Sequence, residues 1–288
     1  MHASTLISVE ELQALVSSHQ PPVILDCGFE LQDTTAGEAA YRRGHLPGAH
    51  YANLDTQLSG PRHAGGPRDP SFTGRHPLPS RATWAAQAGQ WGITPGTQVV
   101  CYDDQGSPYA ARAWWLLRWL GHSAVAVLDG GKAAWVAAGG RLSDAPVDIV
   151  PLQPYPALEG AAMPTVDAAT LLRQIGRVRV IDARAPERWR GDSEPLDPVG
   201  GHIPGSRPRF FKDNLQADGR FKTPKALQES FAGLSLSTAE GCVHQCGSGV
   251  TACHNLLAMA HAGLGIGTLY PGSWSEWCAD PARPLARG

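Results

Sequence analysis

The chain lacks an excess of charge of either sign: 24 Lys and Arg stand against 26 Asp and Glu, a formal net charge of -2. A surface that neutralises a phosphate backbone needs a basic surplus, so nucleic acid is not expected as a partner. Also missing is any apolar run long enough to cross a bilayer, and Met1 to Leu6 has neither a basic region nor a continuous apolar stretch. The expectation is a soluble, cytosolic protein with no membrane partner. Cysteine is scarce: six in 288 residues are too few for a disulfide scaffold, and in a reducing cytosol they stay thiols. Cys27 and Cys101 lie in or at the end of apolar β-like runs and read as small buried hydrophobes, while Cys278 carries no signal. No paired C-x-x-C occurs. Cys242 and Cys246 bracket a strand whose side chains alternate, and Cys253 and His254 point to different faces of a helix, so no metal and no other cofactor is expected.

A length of 288 residues is natural for two domains, each able to bury its own core. The order of features repeats once, at a period of roughly 150 residues, far longer than a solenoid repeat. Ser8-Val9-Glu10-Glu11 is a capping-box start to a short helix, followed by the strand Val23 to Asp26. Thr165-Val166-Asp167 opens the matching helix, and Val178 to Asp182 is the matching strand. A Gly-His-x-Pro-Gly turn follows in both halves, with His45 in one and His202 in the other. Next comes a strand, a loop and an apolar helix: Val99 to Asp103 before Ala110 to Leu120, and Cys242 to Cys246 before Ala252 to Ala262. Aligning the strands puts Asp103 opposite Cys246. Strands alternating with helices predict an α/β fold with mainly parallel sheets. Prolines at 146, 151, 154, 156 and 164 mark a linker, giving domains at 1–145 and 165–288 with 146–164 between them.

At these residues the chain resembles the tandem rhodanese family, which includes thiosulfate and 3-mercaptopyruvate sulfurtransferases. The resemblance rests on Asp182-Ala183-Arg184, the two Gly-His-x-Pro-Gly turns, Cys246-Gly247-Ser248-Gly249-Val250-Thr251-Ala252, and Gly272-Ser273-Trp274-Ser275-Glu276-Trp277, in this order over nearly the whole chain. It implies two similar α/β domains, each a mainly parallel central sheet flanked by helices, with the reactive cysteine in the second only. Asp103 cannot act as a thiol, which fits an inactive first domain.

A thiol must ionise to attack sulfur. Cys246 is placed between a strand and the N-terminus of a helix, where unpaired backbone N–H groups and the positive end of the helix favour an anion. Gly247 and Gly249 allow successive N–H groups to turn inward as an anion-binding nest, and Ser248 and Thr251 add hydroxyl donors, with Val250 completing the loop. The implied chemistry is ping-pong: Cys246 takes the outer sulfur of a small anionic donor as a persulfide, and cyanide, a small thiol or thioredoxin then removes it. The resemblance assigns the donor's anion to Arg188, whose planar fork suits a carboxylate or sulfonate, while Arg184 reads as structural.

The uncharged loop Gly247-Ser248-Gly249 resembles the mercaptopyruvate enzymes, whereas thiosulfate enzymes usually carry basic residues there. A second substrate arginine is implied nine residues after the first, yet Asp197 occupies that position. Arg207 or Arg209 is a candidate for the missing charge. 3-Mercaptopyruvate is the favoured donor, with thiosulfate the alternative. A serine, histidine and aspartate relay is proposed for some relatives; Ser248, His45 and Asp33 are its candidates here, provided the two domains face each other. Trp274, read as a loop residue, is a candidate for the pocket wall. Arg75 to Pro79 resembles the family without an assigned role. A rhodanese-fold phosphatase would need an arginine six residues after the cysteine, where this chain has Ala252. A non-catalytic regulatory module would need a dead loop in both halves.

Overall fold

The computed structural model describes residues 2–69, 71–148, 151–157, 160 and 162–288. The chain forms two compact units that interleave in sequence. The first gathers Met1–Gly60, Pro79–Ala162 and Ala217–Phe221; the second gathers Pro61–Leu78, Met163–Gln216 and Lys222–Gly288. The division is therefore not the contiguous one expected. Part of the expected linker lies outside the described residues. Of the rest, Leu152 and Tyr155 donate backbone N–H bonds to Gly89 and Ala85 of the first unit.

In the first unit the elements run β1 (Leu6–Ile7), α1 (Val9–Val16), β2 (Val23–Asp26), α2 (Ala36–Arg43), β3 (Ala49–Tyr51), α3 (Arg81–Gln90), β4 (Val99–Tyr102), α4 (Pro108–Trp119), β5 (Val125–Leu128) and α5 (Gly131–Ala137). The strands form one sheet in the order β1-β5-β4-β2-β3, with every pairing parallel. All residues of β4 and β5 are buried, as their unbroken apolar runs require of strands covered by helices on both faces. One core cluster joins Ile7, Leu12, Ile24, Val100, Ala126 and Trp135. The capping box is present at α1: Ser8 accepts from Glu11 N and the Glu11 carboxylate accepts from Ser8 N.

The second unit repeats the pattern with α6 (Ala168–Gln174), β6 (Arg179–Asp182), α7 (Pro186–Arg190), β7 (Arg207–Pro208), α8 (Pro224–Ala232), β8 (Cys242–Gln245), α9 (Thr251–His261), β9 (Thr268–Leu269) and α10 (Ser273–Trp277). Its parallel sheet has the order β7-β6-β8-β9. Leu171, Val180, Ile203, Val243, Tyr270, Trp274 and Trp277 form its core cluster.

The two Gly-His-x-Pro-Gly turns are built alike. His45 Nδ1 bonds Tyr41 O at 2.9 Å and its ring stacks on Tyr41; His202 Nδ1 bonds Trp189 O at 2.9 Å and stacks on Trp189. Each ring fixes the turn that follows its strand–helix pair. Among the described residues no helix is long and apolar enough to cross a membrane.

Because the Ser8 hydroxyl satisfies an amide that α1 itself cannot, Ser8→Ala should lower the unfolding free energy by about 1 kcal/mol in denaturant titration. An unchanged midpoint would show that the cap contributes nothing.

Candidate active site

The strand register sets the two halves of the chain against each other. Asp26 at the end of β2 pairs with Tyr102 of β4, and Asp182 at the end of β6 pairs with Gln245 of β8. The next residues, Asp103 and Cys246, are structural equivalents, and four loop residues separate each from its helix. Gly106 and Gly249 fall at the same place in the two loops, with φ of 85° and 76°. At Gly249 a Cβ would come within 2.3 Å of Pro271 O, so glycine is required for space as well as for conformation.

In the first unit the loop wraps a carboxylate. Asp103 Oδ1 accepts from the N–H groups of Gln105 and Ser107 at 3.0 and 2.7 Å, and Oδ2 from those of Tyr109 and Ala110, both at 3.0 Å. The loop and the first turn of α4 thus gather four donors around one carboxylate. Burial pushes Asp103 up from the ordinary 3.8 to about 6, although the four N–H groups pull it down.

In the second unit a thiol takes the carboxylate's position. Cys246 follows directly on β8 and has 2% of its surface exposed. Ser273 Oγ accepts the Cys246 N–H at 3.0 Å and donates to Tyr270 O. Ser273 holds φ at 54°, uncommon for a residue with a side chain, at the point where it grips the cysteine backbone. Cys246 O and Gly247 O accept from the N–H groups of Trp274 and Ser275, both at 2.9 Å. The loop runs into the N-terminus of α9, and the positive end of that helix favours an anion. Thr251 opens that helix and Val250 is buried beside it. Three other thiols, Cys27, Cys242 and Cys278, are pushed up by burial, Cys278 to about 12. His244, beneath the loop in β8, is held down to about 3 by burial and is neutral at physiological pH.

Arg188, on α7, lies beside this loop. A Cβ on Gly247 would meet Arg188 Nη1 and Nη2 at 3.4 and 3.5 Å, and Arg75 Nη2 at 2.9 Å, so two guanidinium groups converge on the residue after the cysteine. Arg188 is steered by Glu194, with Nη2 to Oε1 at 2.6 Å, and by Asp197 at 3.3 Å. Arg184 is buried: it pairs with Asp182 at 2.7 Å, donates to Gly201 O and lies over the Trp274 ring. It ties the end of β6 to its surroundings.

Several expectations need revision. Ser248 Oγ lies 2.7 Å from His76 Nδ1, a partner in the same unit, whereas His45 bonds and stacks on Tyr41. Asp33 is exposed and closes a local turn by accepting from Thr35 N and Oγ1. Trp274 lies on α10 rather than a loop and is fully buried; its indole donates to Val199 O, so it props the loop from beneath instead of lining a pocket. Arg209 is buried against Phe231 and donates from Nη1 to Ser230 and from Nη2 to Asn214, and Arg207 reaches Leu234 O. The guanidinium found beside Asp197 and Gly247, besides Arg188, is that of Arg75. Sequence reasoning left Arg75 and His76 without roles because their partners lie more than a hundred residues away. The signal was the Gly74-Arg75-His76-Pro77 run itself, two charged or polar side chains set between turn formers.

These strands, turns and loops define a family, and the comparisons agree. A rhodanese-like domain model matches residues 8–138. A Pseudomonas aeruginosa protein named "Probable 3-mercaptopyruvate sulfurtransferase" is 45% identical over 295 residues, covering 100% of both chains. The thiosulfate sulfurtransferase of Mus musculus is 34% identical over 277 residues, covering 92% of this chain and 88% of its own. Among solved structures, the 3-mercaptopyruvate sulfurtransferase from Leishmania major superposes with a TM-score of 0.82 at 28% identity, over 95% of this chain and 74% of that one. The chain belongs to the tandem rhodanese family of sulfurtransferases.

The raised Asp103 gives a pH test of the filled loop. Its folded state holds the proton more tightly than the unfolded chain does. The linked stability, about 3 kcal/mol, is therefore fully present below about pH 4 and lost as pH rises through about 6. Asp103→Asn cannot titrate, so the Tm of the parent minus that of the variant should fall between about pH 4 and about pH 7. A flat or rising difference would contradict the assignment.

Proposed function

We propose that the second unit transfers a sulfane sulfur through a persulfide on Cys246, with the first unit catalytically inactive because Asp103 fills its loop. The observation that carries this reading is the thiol at the position where the first unit's loop binds an anion, with guanidinium groups beside Gly247. 3-Mercaptopyruvate is the favoured donor. The uncharged Gly247-Ser248-Gly249 loop supports it, as does 45% identity to a relative named for that donor. Thiosulfate is the alternative, since a relative at 34% identity is named for it.

In the first half-reaction the Cys246 thiolate attacks the donor sulfur. A sulfur–sulfur bond forms and the carbon–sulfur bond breaks, its electron pair remaining on the pyruvate carbon. That carbon takes up the proton the donor thiol carried, leaving pyruvate and the Cys246 persulfide anion. Arg188 binds and orients the donor carboxylate; with His76 Nδ1–H donating to Ser248 Oγ, the Ser248 hydroxyl donates to the donor's carbonyl oxygen as charge develops there. In the second half-reaction a thiophilic acceptor, namely cyanide, a small thiol or reduced thioredoxin, takes the outer sulfur and regenerates the thiolate. Six cysteines are too few for a disulfide scaffold, which supports a cytosolic setting.

Cys246→Ser should lower sulfur transfer to cyanide by about a thousandfold or more, and the parent should show higher kcat/KM for 3-mercaptopyruvate than for thiosulfate. Undiminished transfer by the variant would end the catalytic assignment, and a strong thiosulfate preference would overturn the donor. Robust Cys246-dependent hydrolysis of an aryl phosphate would favour a phosphatase instead.

A further inference from the structure

Position 197 poses a problem for any anionic donor. Asp197 places a carboxylate with only 2% of its side chain exposed within reach of Arg188. Unpaired, that charge would oppose the donor's own and would be costly to bury. It is paired from the far side by Arg75, which reaches it from the segment Pro61–Leu78.

That segment is fastened to the loop at three consecutive residues. Gly74 has φ of 100°, and a Cβ there would lie 2.6 Å from Gly272 O, so only glycine lets the backbone come this close. Arg75 N donates to Ser275 Oγ at 3.1 Å, and His76 Nδ1 lies 2.7 Å from Ser248 Oγ. The Arg75 guanidinium is therefore held from both ends: by its backbone on α10 and by Asp197 at its tip. Arg75 Nη1 goes to Asp197, while Nη2 lies beside Gly247.

The charges around the loop also balance. Arg75, Arg184 and Arg188 face Asp182, Glu194 and Asp197, joined in one set of ion pairs. Arg184 is 1% exposed and Arg188 17%, whereas Arg75 is 23% exposed, the most open of the three guanidinium side chains. An arriving anion meets the outer edge of this network at Arg75 and Arg188 together.

We propose that Arg75 is the second donor-binding guanidinium of this site, with Asp197 as the positioning residue that aims it at Gly247. The proposal rests on the persulfide reading above and deepens it by naming what completes the anion site. It also makes Asp197 useful where an arginine was expected: the guanidinium comes from residue 75 and position 197 anchors it.

The test compares Arg75→Gln with Arg75→Gln/Asp197→Asn, the second of which leaves no stranded carboxylate. If Arg75 only neutralises Asp197, the double variant regains the parent's behaviour. If it binds the donor, both variants should show KM for 3-mercaptopyruvate raised about tenfold or more with kcat changed far less. A second readout is independent of sulfur chemistry: the rate of Cys246 alkylation by anionic iodoacetate relative to neutral iodoacetamide. That ratio should fall about tenfold in both variants. Recovery of KM and of the alkylation ratio in the double variant would overturn the proposal. Should the parent transfer no sulfur from either donor, the persulfide reading fails, and the alkylation ratio still decides whether Arg75 draws anions to the loop.

Discussion

Everything at this site depends on one constraint: four loop residues between a strand end and a helix must hold an anion with backbone N–H groups. The first unit displays the constraint satisfied, with four amides on the Asp103 carboxylate. The second unit keeps the loop length, the left-handed glycine and the helix, and places a thiol in the anion's position. In the function proposed above, an ionisable thiol replaces the internal carboxylate and a structural device becomes a chemical one. The comparison is internal to one chain, so no difference of sequence background clouds it.

Holding that loop open to a donor requires support from several directions. Ser273, Trp274 and Ser275 grip its backbone from α10, and Pro271 O leaves room only for a glycine at 249. Three arginines and three carboxylates surround it. Buried charges of this kind add little net stability, because desolvation cancels much of the attraction. Glu194 and Asp197 fix the forks of Arg188 and Arg75, and on the proposed reading little conformational entropy is then lost when a donor arrives. Burial raises the Asp197 carboxyl above the ordinary carboxylate range, against the pull of the Arg75 and Arg188 guanidinium groups.

The repeat, the parallel sheets, the capping box and the pairing of Asp103 with Cys246 were legible because they depend on local pattern: apolar runs, capping residues and glycines at fixed offsets. The histidines of the two turns were also readable as turn-formers, since their bonds to Tyr41 O and Trp189 O are short-range within each half. What escaped was long-range. Ser248 and His76 are 172 residues apart, and Arg75 and Asp197 are 122 apart. Nothing in periodicity links such positions, so His45 stood as the candidate for the relay and Arg207 or Arg209 for the missing charge. Trp274 was misjudged for a related reason: a short helix of five residues carries too few positions to show a buried face.

The central claim is that Cys246, alone among the six thiols, carries the sulfur. Peptide mass spectrometry after treatment with 3-mercaptopyruvate in the absence of acceptor tests it directly. The account predicts a gain of one sulfur atom on the peptide holding Cys246, removed by cyanide, with Cys242 and Cys253 unchanged. A gain on another cysteine, or none while sulfur transfer proceeds, would contradict it.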